Sequence, residues 1–592
     1  MIGAVALAGM FLAIAAGQGR LLVWPRAGEG RGSPEIACLT ALAGLAMTVV
    51  TLYSLIGAIG AAVWWIPLGA GVAGWCVYGV DFARGARPAR RPMRLHLLVA
   101  VVLVLTMYFS AARFEFPLGH DPVFHAFLAD KIRQTGRLAS DWTPWASIGV
   151  NYTQGLHLVL AFLARWTGLA MPLVFESLHF WFGVLSLGAF WVTARIFLAD
   201  RWAALAAALA VTFAARLGGF FSYLSWGGLP TVLAHAFFFG VLILLFGSVK
   251  PQRPALVAGV LLAALAMVSH LGAFIAAWVL GAYVVVNLAG RRERADVAFL
   301  GRSVVWQIIV AAPFLFTYLP KAASLARTDA LRFTDEGALG VFDVASSIGF
   351  PLLPLIALGV FAAARSPRVV AQRHFLVVWL ASLGIGFLFW DRVYRAVSFA
   401  TTGVAAAAFT PSRFLTLMVY PLAILSSSWI AADLFARRPR LRALSAAVVG
   451  IACVAGFVVH ALPVLREKPI AAERVALYEW VRRETPEDAF VLYEIPLEPG
   501  WWRYYIARRS TCNVPIPASE PTGDAGFREQ LEVCDARDMG RLRQWLARRA
   551  VPGYLVVDAA SAAQRLPAKF ELVATNGAVA LLRLRAAEAR DP

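Results

Sequence analysis

A chain of 592 residues that is 60% hydrophobic and only 15% charged is not an ordinary soluble globular protein. Residues 36–80 contain no Asp, Glu, Lys or Arg, and a bilayer-crossing helix needs about 20 mostly apolar residues, so this stretch alone accommodates two. The net charge of +19 would point to nucleic acid in a soluble chain; here it follows from Lys and Arg gathered in short loops between apolar runs, the pattern that sets membrane orientation, and no nucleic-acid partner is expected.

In chain order, apolar periodicity predicts spans near 1–17, 36–56, 60–79, 96–112, 173–194, 202–216, 231–249, 255–269, 271–290, 303–319, 346–364, 374–390, 414–433 and 441–462. That makes about 14 transmembrane helices. The first residues lack the basic region of a signal peptide, and Arg20, Arg26 and Arg31 follow them, which sets the N-terminus outside. The basic loops 20–31, 84–94, 250–253, 291–302, 365–373 and 437–442 are then cytoplasmic. An apolar helix at 156–169 is excluded from the spans because counting it would turn the later basic loops outward; it is expected to lie along the outer membrane face. The uncharged stretch 396–412 is excluded on similar grounds. External segments are 113–172, 216–230, 321–346, 391–413 and everything after Leu465.

Beyond Leu465 the charge density rises and the pattern alternates. AERVALYEWVRRE and MGRLRQWLARR read as helices, AFVLYEI and YLVV as strands, and KFELVATNGAVALLRL as a hairpin turning at Asn576-Gly577; WWRYYIARR lies between them. The organisation predicted is a transmembrane domain over 1–465, whose first large external loop is 113–172, and an extracytoplasmic α/β domain over 466–592. Cys38, Cys76 and Cys453 fall in spans, whereas Cys512 and Cys534 fall in the external domain, where an oxidising compartment permits a disulfide between them.

The chemistry-bearing residues collect in the first external loop. GHDPVFHAF (119–127) sets His120, Asp121 and His125 side by side just after an apolar run. Asp121-Pro122 followed by VFHAFLADKIRQTG reads as a helix with Asp as N-cap, Pro at its first position and Gly136 near its end. Capping alone would explain Asp121. Yet an acid at a membrane face is costly and commonly functional, and His125 lies four residues on, on the same helical face. The loop continues through Asp141, Trp142, Trp145, Asn151, Tyr152 and His157, hydrogen-bonding groups interleaved with flat apolar rings. Such a mixture suits a sugar, whose hydroxyls need polar partners and whose C–H faces lie on rings; an interfacial aromatic belt is the alternative. Tyr223 and Trp226 in FFSYLSWGGLPT, His270 at the midpoint of the uncharged run 254–290, and Arg413 just before a late span add to the same external surface.

Taken in order, these features resemble the GT-C class of integral membrane glycosyltransferases, which includes oligosaccharyltransferase catalytic subunits, protein mannosyltransferases and bacterial lipid-sugar transferases. The resemblance rests on the many spans, the long first external loop opening with Asp121, the Asp/His helix, Trp142-Thr143-Pro144, the YxxGxH-like segment Tyr152 to His157, and the C-terminal external α/β domain. It implies a GT-C-like helical fold, a polyprenyl-phosphate-linked sugar donor, inverting transfer to a glycan, lipid or protein acceptor, and an external active site. Asp121 would be the general base. His120, His125, Asp141, Trp142, Tyr152, His157, Tyr223, Trp226 and His270 would line the substrate site. Arg413 would meet the donor phosphate, whose oxygens a guanidinium matches bidentately. Some members use a divalent metal, Mg or Mn, which Asp121, Asp141 and His125 could hold here. Two other readings compete: a transporter, which would need ionisable residues near the middle of spans, whereas Glu176 and His179 stand near the start of one and His235 in another, and a polysaccharide polymerase or ligase of another fold. The Arg- and Ala-rich composition points to a bacterial inner membrane.

The topology is open to a direct check. A cysteine introduced at Ser140 is expected to be labelled by an impermeant thiol reagent from outside, and one at Gly85 only from inside; the opposite pattern would invert every side assignment above.

Overall fold

The computed structural model describes residues 1–23, 33–83, 94–119, 121–145, 148–325, 341–365, 370–402, 412–431, 439–494, 502–510, 529–530, 532–534, 539–565, 570–577 and 579–584. Its membrane part is built from α1 (Ile2–Leu22), α2 (Pro34–Ile59), α3 (Trp65–Ala83), α4 (Arg94–Ala111), α5 (Asp121–Thr135), α6 (Gly155–Thr167), α7 (Met171–Leu198) and α8 (Arg201–Leu209). There follow α9 (Phe220–Trp226), α10 (Leu229–Phe246), α11 (Pro254–Val268), α12 (His270–Gly290) and α13 (Arg294–Leu325). The bundle closes with α14 (Val341–Ile348), α15 (Leu353–Arg365), α16 (Arg373–Thr402), α17 (Ser412–Ala431) and α18 (Pro439–Gly456). Among the described residues nine stretches are helical, long and apolar enough to cross a membrane. Large apolar side chains such as Leu288, Phe316, Leu388 and Ile451 stand exposed on them, as helices bathed in lipid require. This is a multi-pass helical membrane protein.

Local chemistry sets the boundaries. Ser33 caps α2, its Oγ accepting from the Ile36 amide at 3.2 Å with Pro34 at the first helical position. The long apolar run bends at Gly60, whose φ is +54°, so residues 60–64 form a 3-10 turn before α3. Asp200 caps α8, accepting from the Trp202 and Ala203 amides at 2.8 Å.

The uncharged run 254–290 is two helices divided at Ser269, which ends α11 and caps α12. The tight turn at His270 is therefore as the sequence reading has it.

Two stretches depart from expectation. The apolar helix at 156–169, α6, does not lie along a surface: every residue from Gly155 to Ala164 is buried, packed by α2, α5, α7 and α11. Its apolar character is that of a helix enclosed on all sides. Helix α16 runs on through Thr402, so the first part of 396–412 continues that span's helix; 403–411 lie outside the described residues.

Helix α1 packs on α2 and α3 through a seam of small residues. A Cβ on Gly44 would collide with the carbonyl oxygen of Ala15, and one on Gly19 with that of Thr40; in lipid, where apolar burial drives little association, such close backbone approach is what holds helices together. Buried Gln18 locks the seam, donating to Thr48 Oγ1 and to the Pro67 carbonyl, both at 3.0 Å.

After Leu465 the chain forms a four-stranded sheet of β1 (Phe490–Tyr493), β2 (Gly553–Asp558), β3 (Phe570–Asn576) and β4 (Val579–Leu584), in the order β1-β2-β4-β3. β1 and β2 are parallel, their connection containing the helices Trp502–Ala507 and Met539–Arg548, while β2/β4 and β3/β4 are antiparallel. The β3–β4 hairpin turns at Asn576-Gly577 with Gly577 at φ +58°, as its sequence predicts. Cys534 is disulfide-bonded and Cys38, Cys76 and Cys453 are free thiols; Cys512 lies outside the described residues.

The seam gives a prediction. Gly44→Ala is expected to lower stability in detergent by roughly 1–3 kcal/mol, the usual cost of overpacking. Gly57→Ala, in the same helix but with open space around its Cα, is expected to melt no lower than the wild type. Equal melting of the two variants would dissolve the seam.

Candidate functional site

Helix α5 is the first long element of the loop 113–172, and both of its ends are defined. It starts at Asp121, one residue earlier than the N-cap assignment has it, and stops at Gly136, which adopts φ +66° and donates its amide to Ile132 at 2.8 Å. Asp121 is half-buried. The residues flanking it rest on the turn after α9: a Cβ on Gly119 (φ +83°) would run into the Trp226 backbone, and one on Gly227 (φ +82°) into the Pro122 ring. Only glycine fits at either position.

Trp226 carries a second group. The Arg413 guanidinium sits 5.0 Å from its ring centroid, a cation–π contact, so the acid and the arginine are held by one tryptophan turn. Behind it Tyr223 packs on Trp226 with ring centroids 5.6 Å apart and shares a hydrogen bond with His235 Nδ1 at 3.2 Å. His235 in turn meets Tyr420 Oη at 3.3 Å, and Tyr420 donates to the Gly218 carbonyl at 2.9 Å. These side chains are tied to one another and to the Gly218 carbonyl, the linkage that a low-dielectric interior strengthens.

One turn along α5, buried His125 hydrogen-bonds through Nδ1 to His157 Nε2 at 2.9 Å. Burial pushes the His157 ring down to about 3, so it is neutral at physiological pH. The Tyr152 ring stands edge-on to three imidazoles, 5.6 Å from His125, 5.7 Å from His157 and 5.4 Å from His270. Thus Asp121, His125, Tyr152, His157, Tyr223, Trp226, His270 and Arg413, scattered over the sequence, gather along one side of α5. His120 lies outside the described residues.

Other expected residues have different surroundings. Trp142 is 0% exposed, stacked beside Phe127 at 6.2 Å and Trp145 at 6.4 Å. The sugar-platform expectation fails for it because both faces meet protein. Asp141 anchors the loop's hairpin to α5. Its carboxylate accepts from Lys131, from the Thr143 hydroxyl, from Ser140 Oγ at 2.7 Å and from the Thr143 amide at 3.0 Å. Partial burial pushes its carboxyl up, but these bonds outweigh it and hold the group well below the usual carboxylate range. The residues proposed for a metal do not fit one: Asp141 is committed to these donors, His125 is turned to His157, and among the described residues no group of three or more His, Cys, Asp or Glu is placed to hold an ion. Glu176 and His179, one turn apart on α7, are fully buried with no hydrogen-bond partner among the described residues.

Sequence reasoning missed what braces α5. Asp130 binds Arg133 Nε at 2.8 Å, Gln134 at 2.9 Å and Arg508 of the C-terminal unit. The segment around that arginine straps the loop 113–172 at two more points: Trp502 donates to the Pro117 carbonyl at 2.7 Å, and Trp145 to the Tyr504 carbonyl at 3.3 Å. The aromatic and basic density of WWRYYIARR is the signal that could have found it.

No family model and no curated protein matches the sequence. Solved structures do match in fold. ArnT from Cupriavidus metallidurans, in its complex with undecaprenyl phosphate, aligns over 83% of this chain and 98% of its own with a TM-score of 0.52 and 14% identity. The archaeal oligosaccharyltransferase AglB from Archaeoglobus fulgidus, in complex with an inhibitory peptide and a dolichol-phosphate, aligns over 84% of this chain and 75% of its own at 0.51 and 13%. The chain has the GT-C fold. The mycobacterial arabinofuranosyltransferase AftD shares it at a TM-score of 0.51 and 16% identity over 84% of this chain, which spans 42% of AftD. At these identities the likeness is one of fold.

The Asp141 anchor has a pH signature. A carboxyl whose folded value is depressed stabilises the fold above its ordinary value and loses that contribution as the pH falls below about 4. The gap in melting temperature between wild type and Asp141→Asn is therefore expected to be full at pH 6 and to narrow below pH 4; a gap independent of pH would remove the ionic anchor.

Proposed function

We propose that this protein is a membrane glycosyltransferase that moves a sugar from a polyprenyl-phosphate donor to an acceptor on the extracytoplasmic face, with about 14 helices crossing the bilayer and the C-terminal α/β unit outside. The reading is carried by one observation: Gly119 and Pro122, on either side of Asp121, pack on the Trp226–Gly227 turn whose indole holds Arg413. A carboxylate and a guanidinium are thereby fixed on one support at the edge of the membrane body, in a fold shared with ArnT and AglB, whose structures contain undecaprenyl phosphate and dolichol-phosphate.

In this reaction Asp121 takes the proton from the acceptor hydroxyl as its oxygen attacks the anomeric carbon. The bond to the donor phosphate breaks on the opposite face, giving inversion. Arg413 neutralises the charge that collects on the departing polyprenyl phosphate, where a preorganised cation is most effective. Tyr152 and His270, which are only partly buried, offer a ring and a hydrogen-bonding nitrogen to a sugar, and the buried His125–His157 pair supports them from behind. The Tyr223–His235–Tyr420 chain keeps Trp226, and with it Arg413, in place.

The test separates capping from catalysis. Asn caps a helix about as well as Asp, so Asp121→Asn is expected to fold and insert normally, while it cannot accept a proton. Transfer should fall by about 10²–10⁴-fold, the usual contribution of a positioned base. Full activity in this variant would leave Asp121 as a helix-starting residue only.

A further inference from the structure

Helix α5 has a second functional-looking side. Phe127, Asp130, Lys131 and Gln134 lie on the face turned away from His125, and they form one wall of a cleft of about 610 Å³. The Thr143–Pro144 turn continues that wall, and Arg482, Glu487, Arg508 and Arg509 of the C-terminal unit supply the other. The volume is that of an ordinary small-ligand site.

Its charge is unbalanced. Four cationic side chains face two carboxylates, and the ion pairs do not even this out. Lys131 is spent on Asp141, while Asp130 is shared between Arg133 and Arg508. Arg509 is only 6% exposed, and among the described residues its guanidinium donates to neutral oxygens: Thr485 Oγ1 at 2.9 Å and the carbonyls of Arg508, Arg482 and Thr485 at 3.0, 2.7 and 2.6 Å. A cation held rigidly with no carboxylate among these hydrogen-bond partners leaves its field directed at whatever enters beside it. Arg482 stands exposed at the rim, its side chain reaching the same space. The floor is apolar: Phe127, stacked on Trp145 at 3.9 Å, and Pro144.

We propose that this cleft binds an anionic glycan, a saccharide whose rings lie on Phe127 and Pro144 and whose carboxylate or phosphate is received by the exposed Arg482 guanidinium within the field of buried Arg509. Guanidinium groups match such oxyanions in geometry as well as charge. Resting on the glycosyltransferase reading, the ligand is the charged part of the acceptor, held behind α5 while its hydroxyl reaches round to Asp121. Binding itself needs neither donor nor Asp121.

The test uses the full-length protein in detergent and calorimetric titration with tetragalacturonate, with maltotetraose as the neutral saccharide and inorganic phosphate as the bare anion. Tetragalacturonate is expected to bind, more weakly as salt rises, and maltotetraose to bind at least tenfold more weakly. Arg482→Gln should weaken tetragalacturonate about tenfold, the loss of one charge-assisted hydrogen bond, and Glu487→Gln should tighten it. Asp121→Asn should leave binding unchanged even where transfer is abolished, so failure of this site and failure of the catalytic reading are told apart. Equal binding of the two saccharides, phosphate competing as strongly as the charged saccharide binds, or indifference to both Arg482→Gln and Glu487→Gln would each overturn the assignment.

Discussion

The packing of the Gly119–Pro122 segment against the Trp226–Gly227 turn is the contact on which the rest of the site depends. A carboxylate and a guanidinium at the rim of a membrane body each carry a large desolvation cost unless their surroundings are fixed. Here the fixing is done by backbone: positive-φ glycines at 119 and 227 allow two chain segments to touch where any side chain would collide. Trp226 then serves on one side as the floor beneath Asp121's neighbours and on the other as the ring under Arg413. Rotating either group away would open a gap in a buried, close-packed junction.

Around this contact the fold supplies two braces of different kinds. From below, the hydrogen-bonded Tyr223–His235–Tyr420 chain ties α9, α10 and α17 together inside the bundle. From above, the segment 502–510 grips the loop 113–172 at Pro117, Asp130 and Trp145. The loop that carries most of the site residues is therefore not a free cover. It is clamped between the membrane helices and the C-terminal unit, and α5 presents one face to each: His125 and its partners inward, the basic cleft outward. Such preorganisation is what positioned acid–base and electrostatic catalysis requires.

How much of this was legible in the sequence follows from the range over which each signal acts. The multi-span helical character, the Asn576-Gly577 hairpin, the α5 helix with its Gly136 stop and the one-residue turn at Ser269 rest on local rules of length, period and turn chemistry, and they were readable. His125, Tyr152, His157, His270 and Arg413 stood out because polar groups are rare beside apolar runs. Their partners did not. Nothing in the sequence pairs Asp130 with Arg508 or Trp226 with Arg413, which are contacts between segments far apart in the chain, or tells that Trp142 is sealed inside the protein, since that depends on how its own loop folds back. Helix α6 was misplaced for a related reason: an apolar period fits a membrane surface and an enclosed helix alike, and only its neighbours α2, α5, α7 and α11 decide.

The most direct measurement is a cryo-EM structure of the protein in lipid with a polyprenyl phosphate bound. The expected result is density for the phosphate within hydrogen-bond reach of the Arg413 guanidinium, on the Trp226 side of α5 and facing Asp121. Phosphate density held elsewhere, with Arg413 still lying on Trp226 and pointing into lipid, would contradict the assignment of this junction as the donor site.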